Sequence, residues 1–303
     1  MLFDLENVQK YYGDYHALKG ITMRVPEGSV GLLGPNGAGK STLIKTMLGL
    51  LRISSGSAQV LGYRLPDQAE KVRQSTGYMP ENDCYLPYMT AVEFVSFSGQ
   101  LTGMPRAEAF RRSHEVLYYV GLGEARYRKL GGFSTGMKQR VKLAQALVHG
   151  PRLVFLDEPT NGLDPQGRDE MLELIEDVKA RGVNVVLSSH LLGDVERVCD
   201  SVIMLNQGKL VHFGSIEELK SGGSSIIEIE TKERNDKLAT LLEAEGFAVA
   251  TEGLRLKVTV PSANDGARIL EAAVANDIQI RHFMPGELTL ETAFLGLLET
   301  ADH

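Results

Sequence analysis

Two kinds of apolar pattern alternate along the first 220 residues. Short continuous apolar runs, typical of strands buried on both faces of a sheet, alternate with longer stretches whose apolar residues recur at helical spacing. The predicted strands span 30–33, 153–156 and 183–189, and the predicted helices span 41–51, 91–101 and 106–120. The first six residues also alternate like a strand. This order of strands and helices predicts a layered α/β fold.

A second pattern begins after the run Ser-Gly-Gly-Ser-Ser at 221–225, which we interpret as a linker. Beyond it we predict strand, helix, strand, strand, helix and strand, the order of a split βαβ, ferredoxin-like unit. These elements span 226–230, 235–245, 247–252, 254–260, 263–275 and 278–283. A last amphipathic helix is predicted from the apolar residues Leu290, Ala293, Phe294, Leu297 and Leu298. The sequence therefore predicts a large domain over 1–220 and a small α+β domain over 226–303.

The charge distribution supports this division. Residues 1–220 carry 25 basic and 25 acidic side chains, whereas residues 221–303 carry 7 and 14, so the second segment holds the whole net charge of −7. Such asymmetry between two parts of a chain favours separate modules. Neither part shows a dominant basic stripe, so we expect no nucleic-acid partner.

The sequence also favours a cytosolic location. We find no apolar run of the roughly 18 residues that a spanning helix needs, and the N-terminus lacks the basic-then-apolar layout of a signal peptide. Disulfides are rare in the cytosol. Cys84 and Cys199 lack the spacing of a metal or redox site, and we interpret both as ordinary packing residues.

A glycine-rich loop follows the predicted strand 30–33. It fits the pattern G-x-x-x-x-G-K-[ST] and lies between a strand and a helix, which argues against a simple glycine turn. Glycines let backbone N–H groups close around phosphate oxygens, and the helix N-terminus adds positive potential. We predict that Lys40 reaches the β and γ phosphates and that the Ser41 hydroxyl ligates Mg²⁺. The predicted nucleotide-binding residues of this loop are Gly34, Pro35, Asn36, Gly37, Ala38, Gly39, Lys40, Ser41 and Thr42.

Two carboxylates end the predicted strand 153–156. Adjacent positions at a strand end point to different sides, so Asp157 and Glu158 can have different roles. We predict that Asp157 holds Mg²⁺ through water and that Glu158 is the general base for the attacking water. An acidic pair after a strand is also a common helix start, which is the alternative. His190 follows the strand 183–189, at the edge where ligands of open α/β sheets bind.

Together these residues resemble the nucleotide-binding subunit of ABC transporters, over about residues 2–220 and with the motifs in family order. The resemblance implies a P-loop NTPase cassette with a mixed sheet core and a helical subdomain at about 85–140. It implies that Tyr12 stacks on adenine, that His190 contacts the γ-phosphate, and that Ser-Thr-Gly-Met at 134–137 is the signature motif. The signature residues expected to bind the ATP of a partner subunit are Ser134, Gly136 and Met137.

Two departures from the commonest family pattern are visible. The signature usually reads Leu-Ser-Gly-Gly-Gln, whereas Phe133, Thr135 and Met137 stand here. The lid position usually carries Gln, but the run 77–81 ends in Glu81. We expect Glu81 to contact Mg²⁺ or the attacking water, since a carboxylate is a hard ligand, although an ionised carboxylate donates no hydrogen bond. Both departures, with the C-terminal domain, resemble a subgroup that serves separate ABC-2-type membrane subunits, largely exporters.

The resemblance implies a Mg²⁺-dependent ATPase that works as a homodimer with ATP at two shared sites. It would lie on the cytoplasmic face of the membrane and move separate permease subunits through the segment 85–130. The loop Asn161 to Asp164 would cross the dimer interface. A soluble ABC ATPase in a non-transport role is the alternative; against it, the chain has one cassette and no heptad insertion. For the C-terminal domain, dimer-stabilising structure and regulatory binding of a small ligand are the two hypotheses.

Overall fold

The computed structural model describes residues 1–221, 225–232, 235–253, 255–260, 265–286 and 290. The chain divides into two compact units between Ile216 and Glu217. Residues 222–224 of the predicted linker lie outside the described residues. So does the predicted last helix, apart from the buried Leu290.

The first unit alternates strands and helices. Its strands are β1 (Phe3–Tyr12), β2 (Tyr15–Val25), β3 (Ser29–Leu33), β4 (Ser55–Val60), β5 (Tyr63–Leu65), β6 (Thr76–Met79), β7 (Leu153–Asp157), β8 (Asn184–Ser188), β9 (Ser201–Asn206) and β10 (Lys209–Ser215). Its helices are α1 (Lys40–Met47), α2 (Ala69–Ser75), α3 (Ala91–Leu101), α4 (Arg106–Tyr119), α5 (Thr135–Leu147), α6 (Pro165–Ala180) and α7 (Leu192–Val198). Two 3₁₀ turns span Gly123–Tyr127 and Leu130–Gly132. Helix α8 (Ile216–Ser221) follows β10 and begins at the boundary with the second unit.

Two sheets form the framework of this unit. One is antiparallel in the order β2-β1-β4-β5, and the other has six strands in the order β10-β9-β3-β8-β7-β6. In the second sheet β10 pairs antiparallel with β9, and the other neighbours are parallel. Every residue of β3 and β7 is buried, which explains their continuous apolar runs. Because β3, β7 and β8 are parallel, the loops that follow them leave the sheet at one edge, and the functional motifs lie in those loops.

Two predicted elements differ from the observed ones. The helix predicted over 41–51 ends at Met47 because Gly49 adopts φ 65° and approaches α2 closely. A Cβ built at Gly49 would lie 2.6 Å from the Cβ of Ala69. The alternation predicted over the first six residues is confirmed for Phe3 to Glu6 but not at the preceding position, since Leu2 and Phe3 are both buried. Beyond it, Asn7 has a positive φ of 48° and the β1–β2 register shifts there.

The second unit has its own hydrophobic core. Its described elements are β11 (Ser225–Thr231), α9 (Asn235–Ala244), β12 (Ala248–Glu252), β13 (Arg255–Val260), α10 (Gly266–Ala275) and β14 (Ile280–Gly286). The strands form an antiparallel sheet in the order β12-β13-β11-β14, which is the split βαβ order predicted from the sequence. Leu238 and Leu242 of α9 and Ile269 of α10 pack with Leu256 and Val258 of β13.

Candidate active site

The glycine-rich loop connects β3 to α1 through backbone conformations that favour glycine. Gly34, Gly37 and Gly39 have φ values of 151°, 81° and 103°, which L-residues with a Cβ rarely adopt. At Gly34 the space is also closed, because a Cβ there would lie 2.3 Å from the carbonyl oxygen of Leu205. The loop therefore brings its backbone amides and the N-terminus of α1 together at the edge of the sheet, as phosphate binding requires.

The Lys40 side chain turns back across this loop. Its Nζ donates to the carbonyl oxygens of Gly34 at 2.6 Å and Pro35 at 3.3 Å. Burial lowers the pKa of Lys40, while the nearby carboxylates of Glu158 and Asp157 oppose that change. The ammonium is thus held between the glycine loop and the acidic end of β7.

Asp157 is the last residue of β7 and is 4% exposed. The Ser41 hydroxyl donates to Asp157 Oδ2 at 3.4 Å, so the predicted metal ligands of the loop and the strand lie side by side. Burial raises the pKa of Asp157, and the charge of Glu81 acts in the same direction. A hydroxyl and a carboxylate in contact are oxygen donors of the kind that Mg²⁺ accepts.

Glu158 follows in a left-handed conformation, with φ 52°. Its backbone N–H donates to the Ser188 carbonyl at 2.9 Å, and its Oε2 lies 2.7 Å from His190 Nδ1. The Glu158 side chain is 12% exposed and that of His190 is 57% exposed. Burial raises the pKa of Glu158, and the contact with His190 opposes this. A carboxylate shielded from water and with a raised pKa has the properties of a general base.

A cleft of about 720 Å³ unites these groups. It is lined by Tyr15, Ala17, Asn36, Gly37, Ala38, Gly39, Lys40, Ser41, Thr42, Glu81, Asp157, Glu158, Asn161 and His190. The structure thus brings the residues predicted from the loop, the acidic strand end, the lid and the histidine into one space. Gly34 and Pro35 contribute through the carbonyls that hold Lys40.

The signature turn lies at the start of α5 and does not line this cleft. The Ser134 side chain caps the helix by accepting from the Met137 N–H at 3.3 Å, and Gly136 faces Leu163, whose Cδ2 would lie 3.7 Å from a Cβ there. Gln139 donates to the Asn161 carbonyl at 3.0 Å. These contacts join the start of α5 to the loop after Glu158, while Ser134, Gly136 and Met137 stay outside the cleft of their own chain.

Comparison with known proteins decides the family. A family model described as ABC transporter matches residues 18–161. The linearmycin resistance ATP-binding protein LnrL of Bacillus subtilis is 36% identical over 304 residues, which cover 98% of this chain and 98% of that protein. The chain belongs to the ABC transporter family.

Two further similarities agree with this family. The daunorubicin/doxorubicin resistance ATP-binding protein DrrA of Streptomyces peucetius is 32% identical over 295 residues, covering 95% of this chain and 89% of that protein. The solved dimeric structure of MJ0796, a bacterial ABC transporter cassette, matches with a TM-score of 0.65 at 26% identity, covering 71% of this chain and 99% of that chain. The prediction of an ATP-binding, ATP-hydrolysing ABC transporter subunit with the cassette fold is confirmed.

Sequence reasoning missed part of this ABC cleft. Tyr15 and Asn161 line it, although neither was predicted to bind nucleotide. Tyr15 pairs with Tyr12 across the β1–β2 hairpin, so the aromatic run around the turn was the available signal. Tyr12 itself is 46% exposed, with Lys10 Nζ 5.2 Å from its ring centroid, and its contact with adenine stays a prediction.

Two other expectations concern the ABC subunit outside the cleft. Cys199 is buried as predicted, but Cys84 is exposed, so its interpretation as an ordinary packing residue is wrong. Cys84 lies in the loop that follows β6 and Glu81. Across the described ranges, no helix combines the length and the apolar composition needed to span a bilayer.

Proposed function

We propose that this chain is the ATPase of an exporter, that it works as a homodimer with two composite ATP sites, and that it drives separate ABC-2-type membrane subunits from the cytoplasmic face. The observation that carries the catalytic part is the 2.7 Å contact between Glu158 and His190 within the cleft that contains the glycine loop. The names of the relatives LnrL and DrrA, both resistance ATP-binding proteins, support export.

Ser41 and Asp157 are the residues that would hold Mg²⁺. No cluster of three or more carboxylate, histidine or cysteine side chains suited to a metal occurs among the described residues. This fits Mg²⁺, which binds one or two protein carboxylates together with substrate phosphates. Bound there, the ion would neutralise phosphate charge, and Glu81, which lines the same cleft, would contact the ion or the water.

Glu158 is proposed as the base that accepts a proton from the attacking water. His190 holds the carboxylate in place through Nδ1, and its 57% exposed side chain leaves the rest of the ring free to contact the γ-phosphate. Lys40 is proposed to exchange its contacts with the Gly34 and Pro35 carbonyls for phosphate oxygens. Each of these groups reaches the cleft from a different strand end, so the nucleotide is held by the sheet edge as a whole.

The signature residues Ser134, Gly136 and Met137 are proposed to complete the site of a second copy. Their place outside the cleft of their own chain supports this, and so does the dimeric state of the similar cassette MJ0796. Each chain would then contribute a glycine loop to one nucleotide and a helix N-terminus, capped by Ser134, to the other. Tyr12 is proposed to stack on adenine.

The variant Glu158→Gln tests this proposal. It removes the base but keeps the size of the side chain, so ATPase activity should fall at least about a hundredfold, as expected for loss of a general base. ATP should still bind, and the variant should accumulate as a dimer in light scattering. Glu243→Gln, an exposed position on α9, is the matched control. A Glu158→Gln protein that hydrolyses ATP at the wild-type rate would exclude Glu158 as the base.

Export is tested separately by capture from native membranes. A polytopic membrane protein that co-purifies with the chain and accelerates its ATPase supports transport. If only soluble partners such as ribosomes co-purify, the non-transport alternative is favoured and the permease part of the proposal fails.

A further inference from the structure

One face of α5 is hydrogen-bonded to the backbone of β6 and of the lid segment 80–85 that follows it. Lys142 Nζ donates to the Glu81 carbonyl at 2.8 Å, and Gln145 Nε2 donates to the Tyr78 carbonyl at 2.5 Å. Just beyond the helix, His149 Nε2 lies 3.0 Å from the Thr76 carbonyl. A Cβ at Gly77 would lie 2.1 Å from the Ala146 carbonyl oxygen, so helix and strand are in close contact along their length.

Among the side chains on this face of α5, Lys142 is unusual because it is charged and only 1% exposed. Lysine is almost never fully buried unless it is paired, because burial of an ammonium is costly. A leucine or methionine would fill the same space without that cost. Packing therefore does not explain why position 142 is a lysine, and we look for the explanation in the charges that surround its ammonium group.

The surroundings of Lys142 are acidic. Burial lowers the pKa of Lys142, while Cys84, Asp83, Glu81 and Asp157 oppose that change. Glu81 and Asp157 line the nucleotide cleft together with Glu158, so three carboxylates converge on one space. The positive charge of Lys40 in the glycine loop offsets these carboxylates. Lys142, which contacts the Glu81 carbonyl, adds a second positive charge.

The lid segment carries the Glu81 carboxylate at the position where the family usually has Gln. A neutral amide at position 81 would add no charge to the cleft, whereas the Glu81 carboxylate places a third negative charge in the space that Asp157 and Glu158 also line. A segment that carries such a charge needs a fixed anchor to keep its side chain at the cleft. The Lys142 ammonium supplies both the anchor, through the Glu81 carbonyl, and the compensating charge.

We propose that Lys142 is a positioning residue of the ATPase site, which holds the Glu81 segment against α5 and offsets the lid carboxylate. Since α5 begins at the Ser134 cap, the lid of one nucleotide site and the signature turn that serves the other are attached to the same helix. The reaction part of this inference rests on the proposed function, but the position of the lid does not.

The first test measures lid mobility without ATP. Cys84 is exposed and Cys199 is buried, so a nitroxide spin label on the native protein reports on the lid alone. Lys142→Met should increase the ratio of mobile to immobile label on the order of tenfold, the shift expected from losing a hydrogen bond to a charged donor. Lys71→Met, which removes an exposed lysine from α2, should leave the spectrum unchanged. An unchanged spectrum for Lys142→Met would overturn the inference.

The second test is a double-mutant cycle on ATPase activity. Lys142→Met should lower kcat about tenfold in the wild-type chain with little change in KM, and by a smaller factor in the Glu81→Gln background, where the anchor to the carbonyl of residue 81 is also lost but no carboxylate has to be offset. Equal losses in both backgrounds would show a purely structural role and overturn the inference. If Lys142→Met does not fold, Lys142→Gln, which keeps a donor and removes the charge, goes through the same cycle.

The two proposals fail in different ways. An inactive wild-type protein, or an active Glu158→Gln variant, would refute the proposed function and leave the spin-label result intact. A wild-type spectrum for Lys142→Met would refute the role of Lys142 whatever the ATPase result.

Discussion

Replacing Asp194 should destabilise the first unit strongly, although this residue does not line the cleft. Its carboxylate on α7 is fully buried. The Thr160 hydroxyl donates to Oδ2 at 2.6 Å and Arg168 Nε donates to Oδ1 at 2.6 Å, and Arg168 Nη2 pairs with the same oxygen. The carboxylate therefore ties together the loop after Glu158, helix α6, and helix α7 that follows His190.

The magnitude follows from what each substitution leaves behind. Asp194→Ala orphans the Thr160 hydroxyl, which is 3% exposed, and removes the partner of Arg168. Breaking a buried ion pair costs about 3–5 kcal/mol, but the Arg168 side chain is 36% exposed and can recover solvent. We therefore expect a loss of about 2–4 kcal/mol. Asp194→Asn keeps one acceptor oxygen and should cost about 1–2 kcal/mol.

The assay is urea unfolding followed by far-UV circular dichroism, since the chain contains no tryptophan. The two units each have a core and need not unfold in one step. The transition of the first unit is the one whose midpoint rises when ATP is added, because ligand binding stabilises only the unit that binds it. Thr160→Val, which removes one donor and leaves the Asp194–Arg168 pair, should cost less than Asp194→Ala.

Two results would refute this reasoning. A loss below about 1 kcal/mol for Asp194→Ala would show that the network contributes no more than an exposed pair. Equal losses for the alanine and asparagine variants would show that neither the remaining acceptor oxygen nor the retained side-chain volume matters, and that the lost negative charge alone sets the cost.

Three further predictions concern the cleft and the second unit. Because burial raises the pKa of Asp157 above its usual range, the folded state binds that proton more tightly than the unfolded chain and the ionised form costs stability; Asp157→Asn should raise the Tm near neutral pH, with the gain lost below about pH 4, and an unchanged or lower Tm near neutral pH would contradict this. Gly34→Ala should lower both the Tm and ATP binding because its Cβ would lie 2.3 Å from the Leu205 carbonyl, and Gly37→Ala, with no atom within 4 Å of its Cβ, should cost less in calorimetry; similar losses would argue against the clash. Truncation after Ser221 should keep ATP binding and abolish the dimer in light scattering, whereas a persistent dimer would favour a regulatory role for the second unit.

Local chemistry made the cleft predictable from the sequence. β3 and β7 are buried on both faces, so their positions show as unbroken apolar runs, and the residues after them carry motifs whose spacing is fixed by the backbone. Lys40 and Glu158 could be placed in this way because each lies within a few residues of its strand. The contacts that hold the site together could not. Lys142 and Glu81 are 61 positions apart, and Thr160 and Asp194 are 34 apart. Periodicity can place Lys142 and Asp194 on the buried face of a helix, but it does not identify their partners, because Glu81 and Thr160 lie in loops.

The backbone of Glu158 explains why two adjacent carboxylates can serve different purposes. Strand alternation alone separates their directions, but it would leave Glu158 close to the sheet. The left-handed φ of 52° turns the chain at that residue, and the N–H bond to Ser188 at 2.9 Å fixes the turn to β8, whose end leads to His190. A left-handed conformation costs a non-glycine residue about 1–3 kcal/mol, and glycine would adopt it without that cost. A glutamate therefore stands at this strained position because of its carboxylate. The turn directs that carboxylate away from Asp157 and into contact with His190.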